Sequence, residues 1–345
     1  MTDRPFVSII IPCRNEERFI GPCLESVLAN DYPPDRLEVL VVDGMSEDRT
    51  RAIVQDHGAR HDRVKLLDNP KRITPTALNI GIAHAKGQVV MRMDAHSHYP
   101  RNYVSGLIAW QEKTGADNVG GVWTTLPASD TWMAQAIAIG LSHPFGVGNA
   151  HFRIGVREPR LVDTVPFGCY RRDVFDRIGV FDEELVRNQD DEFNLRLIRH
   201  GGKILLVPDV TSCYYARDSL PKLARMYYQY GYFKPLVLRK VRGILTVRQI
   251  IPPLFILALI VSGAMAPFFS AMRIVTAFVV AVYLIAVVGC SSTVAFERGL
   301  RYAPALCAVF AVMHVSYGVG FLRGVAEFLI RGQKRTVGAE IPISR

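Results

Sequence analysis

Three long stretches of the chain, residues 250–272, 274–296 and 303–322, contain no Lys, Arg, Asp or Glu. A helix needs about 20 mainly apolar residues to cross the hydrocarbon core of a bilayer, so each stretch is long enough to span one. The mean hydropathy is +0.15 although 21% of the residues are charged, because the apolar residues are segregated. This pattern excludes an intrinsically disordered chain, a disulfide-stapled secreted domain and a purely soluble enzyme.

Basic residues flank these stretches. The net charge is +9, and Lys and Arg alternate with aromatic residues in segment 220–248. Such a mixture is typical of a helix in the headgroup layer, with a solvated surface helix as the alternative. We therefore predict an amphipathic interfacial segment at 220–248, a transmembrane region of about three helices at 249–325 and a basic C-terminal tail at 326–345. Anionic membrane lipids, and not nucleic acid, explain the excess positive charge.

The basic residues before the first stretch also predict the orientation, because positively charged segments stay on the cytoplasmic side. The N-terminal apolar run, residues 6–12, is too short for the core of a signal peptide. We therefore expect a multi-pass protein of the cell membrane with a cytoplasmic N-terminal domain. Three complete spans would place the basic tail outside, against this tendency. Either the charges around the first spans decide the orientation, or one stretch is re-entrant or interfacial and the tail returns to the cytoplasm. Both alternatives stay open.

Residues 1–219 alternate short β-branched runs with amphipathic stretches, a pattern that predicts an α/β domain with a mainly parallel sheet. Asn15, Ser46 and Thr74 are expected to begin helices, and another helix is expected over 190–200. The six cysteines lack metal-binding spacing and are interpreted as buried, reduced thiols. The predicted strands are 6–11, 37–42, 64–67, 89–93, 203–207 and 211–216.

Two aspartates, Asp43 and Asp94, lie at the ends of predicted strands. Ligands of open parallel sheets bind beyond the carboxyl ends of the strands, so both should face the ligand crevice. A dinucleotide-binding oxidoreductase would need Gly-x-Gly-x-x-Gly after the first strand, but the turn at residues 12–16 has no glycine. A Walker-type lysine loop is missing as well. Phosphates must therefore be bound in another way.

The segment after the fourth predicted strand offers a way to bind phosphates through a cation. Asp94 and His96 are two residues apart in an extended segment, so they share a face. One carboxylate and one imidazole can bind a divalent cation that keeps open positions for diphosphate oxygens.

Four segments together resemble the inverting family 2 glycosyltransferases, which have a GT-A fold. They are residues 8–17 (SIIIPCRNEE), 41–48 (VVDGMSED), 77–81 (ALNIG) and 94–96 (DAH). Within that family the chain looks closest to the membrane-anchored enzymes of exopolysaccharide assembly, the succinoglycan type, which add a sugar to a polyprenyl-diphosphate-linked acceptor. The resemblance covers essentially the whole chain. It implies a Rossmann-like, nucleotide-sugar-binding GT-A domain at 1–219.

The resemblance also implies roles for the residues that bind the donor. Pro12, Arg14 and Glu16 would line the nucleotide pocket. Asp43 would bind the uracil or ribose of a nucleotide-sugar, and Asp94 would face the ribose or a metal ion.

The cation site departs from the family at one position. Asp94 and His96 occupy the position of the family's Asp-x-Asp motif, in which His96 would complete the metal coordination. The histidine leaves one negative charge fewer on the cation, so Mn²⁺ is at least as plausible as Mg²⁺.

The family places its general base in a Glu-Asp pair that opens a helix. Alignment of the residues that follow this pair puts Gln189 where the Glu is usual and Asp190 at the base, with Asp191 as the runner-up. A base must lie within hydrogen-bonding reach of the acceptor hydroxyl. The alternative explanation of the three acids at 190–192 is favourable placement at the positive end of a helix dipole.

Residues 140–168 are rich in Gly, Pro, His and Phe and are predicted to form a long loop. The resemblance implies that this region shapes the acceptor site. Arg153 or Arg157 is expected to hold the acceptor's diphosphate, because a guanidinium can bind phosphate in a bidentate way. The Gln-x-x-Arg-Trp motif of processive synthases is missing, since all tryptophans precede Asp190. One sugar per acceptor is therefore expected.

The predicted function is transfer of one sugar from a nucleotide-sugar, expected to be a UDP-sugar, to a polyprenyl-diphosphate-linked acceptor in exopolysaccharide or cell-surface glycan assembly. The expected partners are this donor and acceptor, membrane lipids and other glycan-assembly membrane proteins. Two alternatives stay open. One is a polyprenyl-phosphate glycosyl synthase, and the other is a membrane-anchored sugar-nucleotide binder without turnover, which would not need Asp190.

Overall fold

The computed structural model describes residues 4–242 and 246–332, which form two compact units. The first, the sheet unit, contains residues 4–124 and 151–214. The second, the helical unit, contains residues 125–150, 215–242 and 246–332. Segment 125–150 therefore packs with the C-terminal helices, although the sequence placed it within 1–219. The functional division of the chain stays a prediction.

Strands and helices alternate through the sheet unit, and helices make up most of the helical unit. The strands are β1 (Val7–Cys13), β2 (Leu37–Asp43), β3 (Val64–Asp68), β4 (Val89–Arg92), β5 (Ser97–His98), β6 (Asn118–Leu126), β7 (Arg160–Leu161), β8 (Cys169–Arg171) and β9 (Ile204–Tyr215). The helices are α1 (Ile20–Leu28), α2 (Thr50–Arg60), α3 (Thr74–His84), α4 (Tyr103–Thr114), α5 (Trp132–Gly140), α6 (Pro144–Val147), α7 (His151–Ile154), α8 (Asp173–Ile178), α9 (Gln189–Arg199), α10 (Leu220–Val241), α11 (Val247–Met265), α12 (Ser270–Arg298) and α13 (Ala303–Gly324).

The strands form a mixed sheet in the order β3-β2-β1-β4-β8-β6-β9-β5, with β7 beside β9. Strands β1 to β4 pair in parallel. In contrast, β8 is antiparallel to β4 and β6, and β9 is antiparallel to β5 and β7. Strand β1 lies between β2 and β4, so the strand order reverses there. This is the position where open α/β sheets bind ligands, beyond the carboxyl ends of the strands.

Apolar side chains of β1 alternate between two cores, one on each face of the sheet. Ile9 and Ile11 pack in one core with Leu24 of α1. Ile10 packs in the other core with Leu78 of α3 and Phe193 of α9. Burial on both faces explains why the parallel strands read as continuous apolar runs rather than as alternating patterns.

The predicted helix caps at Asn15 and Ser46 are wrong, because α1 begins at Ile20 and α2 at Thr50. The backbone N–H of Asn15 donates to Ser46 Oγ at 2.8 Å, and Asn15 Oδ1 accepts from the backbone N–H of Glu47 at 2.9 Å. Both side chains therefore join the loops that follow β1 and β2. Local sequence does not indicate such long-range partners.

The two strands predicted at 203–207 and 211–216 form the single strand β9. Pro208 and Asp209 interrupt its apolar pattern without ending it. Trp110 Nε1 donates to both carboxylate oxygens of Asp209, at 2.9 and 3.0 Å. The neighbouring prediction of a long loop at 140–168 also needs correction, since that stretch contains α6, α7 and β7.

Among the described residues, three helices are long and apolar enough to cross a membrane. They are Val247–Met265, Ser270–Arg298 and Leu300–Ile330, the last of which contains α13 and a π-helical turn at Val325–Ile330. Helices α11 and α12 expose large apolar side chains, as expected for contact with lipid. Of the predicted basic tail at 326–345, residues 333–345 lie outside the described residues.

Helix α10 packs closely on α13 through glycines. A Cβ atom on Gly231 of α10 would lie 2.1 Å from the carbonyl oxygen of Tyr317, and one on Gly320 of α13 would lie 2.2 Å from that of Tyr228. Small residues allow such backbone contact between helices, which supplies packing energy where lipid replaces water. The placement of α10 in the headgroup layer stays a prediction.

This packing predicts opposite effects for two Gly→Ala substitutions. We expect Gly231→Ala to destabilise the helical unit by about 1–3 kcal/mol, the usual cost of overpacking. Nothing lies within 4 Å of a Cβ on Gly289 of α12, so Gly289→Ala should be neutral or stabilise the protein by up to about 1 kcal/mol. Thermal unfolding in detergent measures both, and equal midpoints for the two variants would contradict the proposed packing role.

Candidate active site

The candidate site lies where strands β1, β2 and β4 end. Cys13 and Asp43 are in register at the ends of β1 and β2, and β4 ends at Arg92, followed closely by Asp94. The predicted crevice residues therefore do meet at the carboxyl edge of the parallel strands, in the sheet unit.

Asp43 is completely buried, and the chain itself satisfies its carboxylate. Ser46 donates to it through its backbone N–H at 2.9 Å and through Oγ at 2.5 Å. Arg51 Nη1 donates to Asp43 Oδ2 at 2.8 Å, and Arg51 Nη2 lies 2.8 Å from Asp68 Oδ1. Asp43 thus organises the turn after β2, and Arg51 is a member of this cluster that sequence reasoning missed. Its contact with a nucleotide stays a prediction.

The loop after β1 carries the other residues predicted to line a nucleotide pocket. Pro12 is partly buried, and the backbone N–H of Glu16 donates to Thr50 Oγ1 at 2.7 Å. Arg14 lies against Gly44, where a Cβ atom would approach Arg14 Cβ to 3.2 Å. Arg14 Nε is buried and has no hydrogen-bond partner among the described residues. A buried donor of this kind is expected to have a ligand acceptor as its partner.

Asp94 forms a bidentate ion pair with Arg92. Arg92 Nε lies 2.9 Å from Asp94 Oδ1, and Arg92 Nη2 lies 3.2 Å from Asp94 Oδ2. Burial works to lower the pKa of Arg92, but the Asp94 and Asp190 carboxylates outweigh it and the pKa is raised. Arg92 therefore faces two acids that the sequence assigned to different tasks. Its spacing of two residues from Asp94 was the available signal, because such residues share a face.

His96 lies beside Glu16, with 3.3 Å between His96 Nδ1 and Glu16 Oε1. The imidazole also packs edge-on against Tyr214, with ring centroids 5.8 Å apart. Asp94 and His96 are 17% and 16% exposed at their side chains, so both remain accessible to a ligand. Histidines that ligate metal ions commonly have a carboxylate beside the other ring nitrogen, as Glu16 lies beside Nδ1 here.

The residues present fit a divalent cation that is completed by its ligand. Within residues 4–242 and 246–332, no group of three or more His, Cys, Asp and Glu side chains is placed to hold a metal ion by itself. Asp94 and His96 offer one oxygen and one nitrogen, and the remaining positions would be open to diphosphate oxygens or water. Cations bound together with phosphates are commonly held in this way, by few protein ligands.

The three acids that open α9 differ in their surroundings. Glu192 is buried and pairs with Arg196, at 2.8 and 2.9 Å, so it has a structural partner. The backbone N–H of Asp191 donates to Asp190 Oδ1 at 3.0 Å. Burial, and then the charge of Asp191, raise the pKa of Asp190, while Arg92 opposes them. A carboxyl with a raised pKa is suited to accept a proton.

Of the two arginines predicted at the acceptor, the structure brings only Arg153 to aromatic partners near His96. Its guanidinium lies 4.6 Å from the ring centroid of Trp123 and 5.3 Å from that of Tyr214. These two rings stack on each other at 4.5 Å, and Tyr214 also contacts His96. Arg153 Nη1 is buried without a hydrogen-bond partner among the described residues, whereas Arg157 is exposed.

Comparison with known proteins places this site in a family. The model of glycosyl transferase family 2 matches residues 8–179. Succinoglycan biosynthesis protein ExoA of Rhizobium meliloti (strain 1021) is 30% identical over 322 residues, which are 93% of this chain and 95% of the relative. A Methanococcus voltae protein named dolichyl N-acetyl-alpha-D-glucosaminyl phosphate 3-beta-D-2,3-diacetamido-2,3-dideoxy-beta-D-glucuronosyltransferase is 27% identical over 330 residues, 93% of this chain and 98% of the relative.

A solved structure shows the same fold. Mannosyltransferase PcManGT from Pyrobaculum calidifontis, in complex with GDP-Man and Mn²⁺, has a TM-score of 0.58 at 20% identity and covers 92% of this chain and 88% of its own. The predicted GT-A fold and the predicted enzyme class are confirmed. The chain belongs to glycosyl transferase family 2, and it is a glycosyltransferase.

Proposed function

We propose that the protein transfers one sugar, with inversion, from a nucleotide-sugar to a polyprenyl-diphosphate-linked acceptor at the cytoplasmic face of the cell membrane. The observation that carries this proposal is that Arg92 pairs directly with Asp94, at the cation position, and interacts electrostatically with Asp190, at the base position. The names of the two long relatives, one of succinoglycan biosynthesis and one of a dolichyl-linked acceptor, support a lipid-linked acceptor in glycan assembly. The three apolar helices support the membrane location.

Donor binding is assigned to the loop after β1 and to the Asp94-x-His96 segment. Arg14 would donate to the nucleotide or its diphosphate, with Pro12, Glu16 and Asp43 shaping the pocket. Asp94 and His96 would hold a divalent cation, which when bound neutralises the charge that develops on the departing diphosphate. The Mn²⁺ bound by PcManGT and the imidazole ligand both support Mn²⁺ over Mg²⁺. We infer a UDP-sugar as the donor.

Asp190 is assigned the proton transfer. The acceptor hydroxyl oxygen attacks the anomeric carbon and forms the new C–O bond, while the bond to the diphosphate oxygen breaks on the opposite face. Asp190 takes the hydroxyl proton, and the nucleoside diphosphate leaves. Arg92 holds Asp94 in place and limits the rise in the pKa of Asp190, so the carboxylate form of the base is retained.

The acceptor's diphosphate is assigned to Arg153. Its guanidinium lies over the rings of Trp123 and Tyr214, the second of which also contacts His96, and its buried Nη1 can donate a hydrogen bond to a ligand. A planar guanidinium suits a diphosphate because it donates in a bidentate way.

The assignment of Asp190 as the base predicts different effects on activity for substitutions of two neighbouring aspartates. Asp190→Asn should lower kcat by about 10²–10⁴-fold, the usual contribution of a general base, without changing donor affinity. Asp191→Asn should retain activity, and the acidic limb of its pH profile should move to lower pH, because removing a like charge lowers the pKa of Asp190.

Steady-state kinetics across pH measures both aspartate variants. In the wild-type enzyme kcat/KM should fall as the pH drops through a pKa above the ordinary aspartate value, since the base must be deprotonated. Full transfer by Asp190→Asn would overturn the mechanism, and loss confined to Asp191→Asn would transfer the role to Asp191.

The cation assignment predicts a change of metal preference. Donor binding, measured by calorimetry with Mn²⁺ or Mg²⁺, should require a divalent cation and favour Mn²⁺. His96→Asp should raise the affinity with Mg²⁺ relative to Mn²⁺, because it replaces an imidazole by a hard carboxylate. His98→Asp, at an exposed histidine of β5, is the matched control and should leave the preference unchanged. Equal donor binding with and without a cation would refute the assignment.

The acceptor assignment predicts a KM effect for Arg153 alone. Arg153→Ala should raise the acceptor KM by at least about tenfold, because a charge-assisted contact is worth about 1.5–3 kcal/mol. Arg153→Lys should recover part of the loss, since it keeps the charge but not the planar stack. Arg157→Ala should leave KM unchanged. The donor KM serves as the internal control, and an unchanged acceptor KM in Arg153→Ala would exclude this role.

A further inference from the structure

A fourth uncharged stretch lies in the middle of the chain. Residues 131–152 contain no Lys, Arg, Asp or Glu, and they are bounded by Asp130 and Arg153. They include α5 and α6 and belong to the helical unit up to Ala150. At nine residues, α5 is about 14 Å long, less than half of the hydrocarbon core of about 30 Å. This stretch therefore cannot cross a bilayer as a single helix.

Helix α5 packs against a helix that can cross one. Ala136 and Ile137 share a core with Val309 and Phe310 of α13, which lies within the candidate span Leu300–Ile330. A Cβ atom on Gly140 would lie 2.5 Å from Val309 Cγ1. The stretch is thus in direct contact with the first half of this span.

Polar groups of the helical unit pair with polar atoms of this stretch, one on its backbone and one on a side chain. The carbonyl oxygen of Phe145, in the single turn of α6, lies 2.8 Å from His314 Nε2. The other ring nitrogen of His314 lies 3.2 Å from the hydroxyl of Tyr283 in α12. At the other end of the stretch, the Tyr302 hydroxyl donates to Gln135 Oε1. Non-helical backbone at membrane depth requires protein partners of this kind.

Trp132 is the most exposed apolar side chain of the stretch, and its partly exposed apolar neighbours also pack on the core shared with α13. Trp132 is 53% exposed, and it directly follows the charged Asp130 and the polar Thr131. Met133, Ile139, Phe145 and Val147 are partly exposed. Tryptophan at the edge of an apolar segment is typical of the membrane interface.

We propose that residues 131–148 dip into one leaflet of a phospholipid bilayer beside α13, with Trp132 at the headgroup boundary. The occupant of this apolar surface is lipid, because the stretch has no charged side chain and packs on α13, which belongs to a helix long and apolar enough to cross a membrane. This inference rests on the membrane placement within the proposed function, and it is independent of the roles of Asp190, Asp94 and Arg153.

The three tryptophans of the chain make a direct test possible. In the double variant Trp110→Phe/Trp123→Phe, Trp132 is the only tryptophan that remains. The full chain is reconstituted in phosphatidylcholine vesicles with brominated acyl chains, which quench tryptophan on contact. We expect a loss of Trp132 emission of about twofold or more relative to unbrominated vesicles, as for side chains buried about 5–10 Å deep. If Trp123→Phe prevents folding, Trp123→Tyr replaces it.

A reference variant separates the two levels of the proposal. It carries Phe278→Trp on the exposed face of α12, with all three native tryptophans replaced by phenylalanine. Quenching at both positions supports the inference. Quenching at 278 but not at 132 overturns the inference and leaves the three spans in place. Absence of quenching at both positions overturns the membrane placement and the inference with it.

Discussion

Acidic side chains at the carboxyl edge of the sheet are paired with arginine side chains of the same chain. Asp43 is fully buried and pairs with Arg51, and Asp94 pairs with Arg92 through two hydrogen bonds. Removing one partner of a buried ion pair typically costs about 3–5 kcal/mol, because the other charge is left without compensation. These pairs therefore fix the turns after β2 and β4, and the geometry of the site depends on them. Asp190 is assembled against the same Arg92 charge.

The helical unit follows a different physical rule. In the proposed membrane placement, lipid is as apolar as the helices, so burial does not drive their association and close packing must do so. Gly231 and Gly320 bring the backbones of α10 and α13 together, whereas Gly140 brings the α5 backbone against side chains of α13. Polar partners such as His314 and Phe145 then satisfy groups that water cannot reach. The candidate span Leu300–Ile330, which contains α13, is the most buried of the three.

The sequence predicted those features that depend on local patterns of apolar and polar residues. Strands β1, β2 and β4 could be recognised because both of their faces are buried. Asp43 and Asp94 could be placed because strand ends follow from the apolar runs. Asn15 and Ser46 were misread because their partners lie across two loops, about 30 residues away. Strand β8 has only three residues, too few to show a period. The contact of Glu16 with His96 depends on the tertiary fold and has no local signal.

That contact bears on the departure from the family's Asp-x-Asp pattern. A histidine at the second position removes one negative charge from the proposed cation site. Glu16 Oε1 lies 3.3 Å from His96 Nδ1, so a carboxylate stands directly behind the imidazole. A carboxylate in this position raises the basicity of a ligating histidine and fixes its orientation. In the proposed site the negative charge of the missing second aspartate is thus supplied by Glu16, which lies behind the histidine ligand. The same contact links the loop after β1 to the segment after β4.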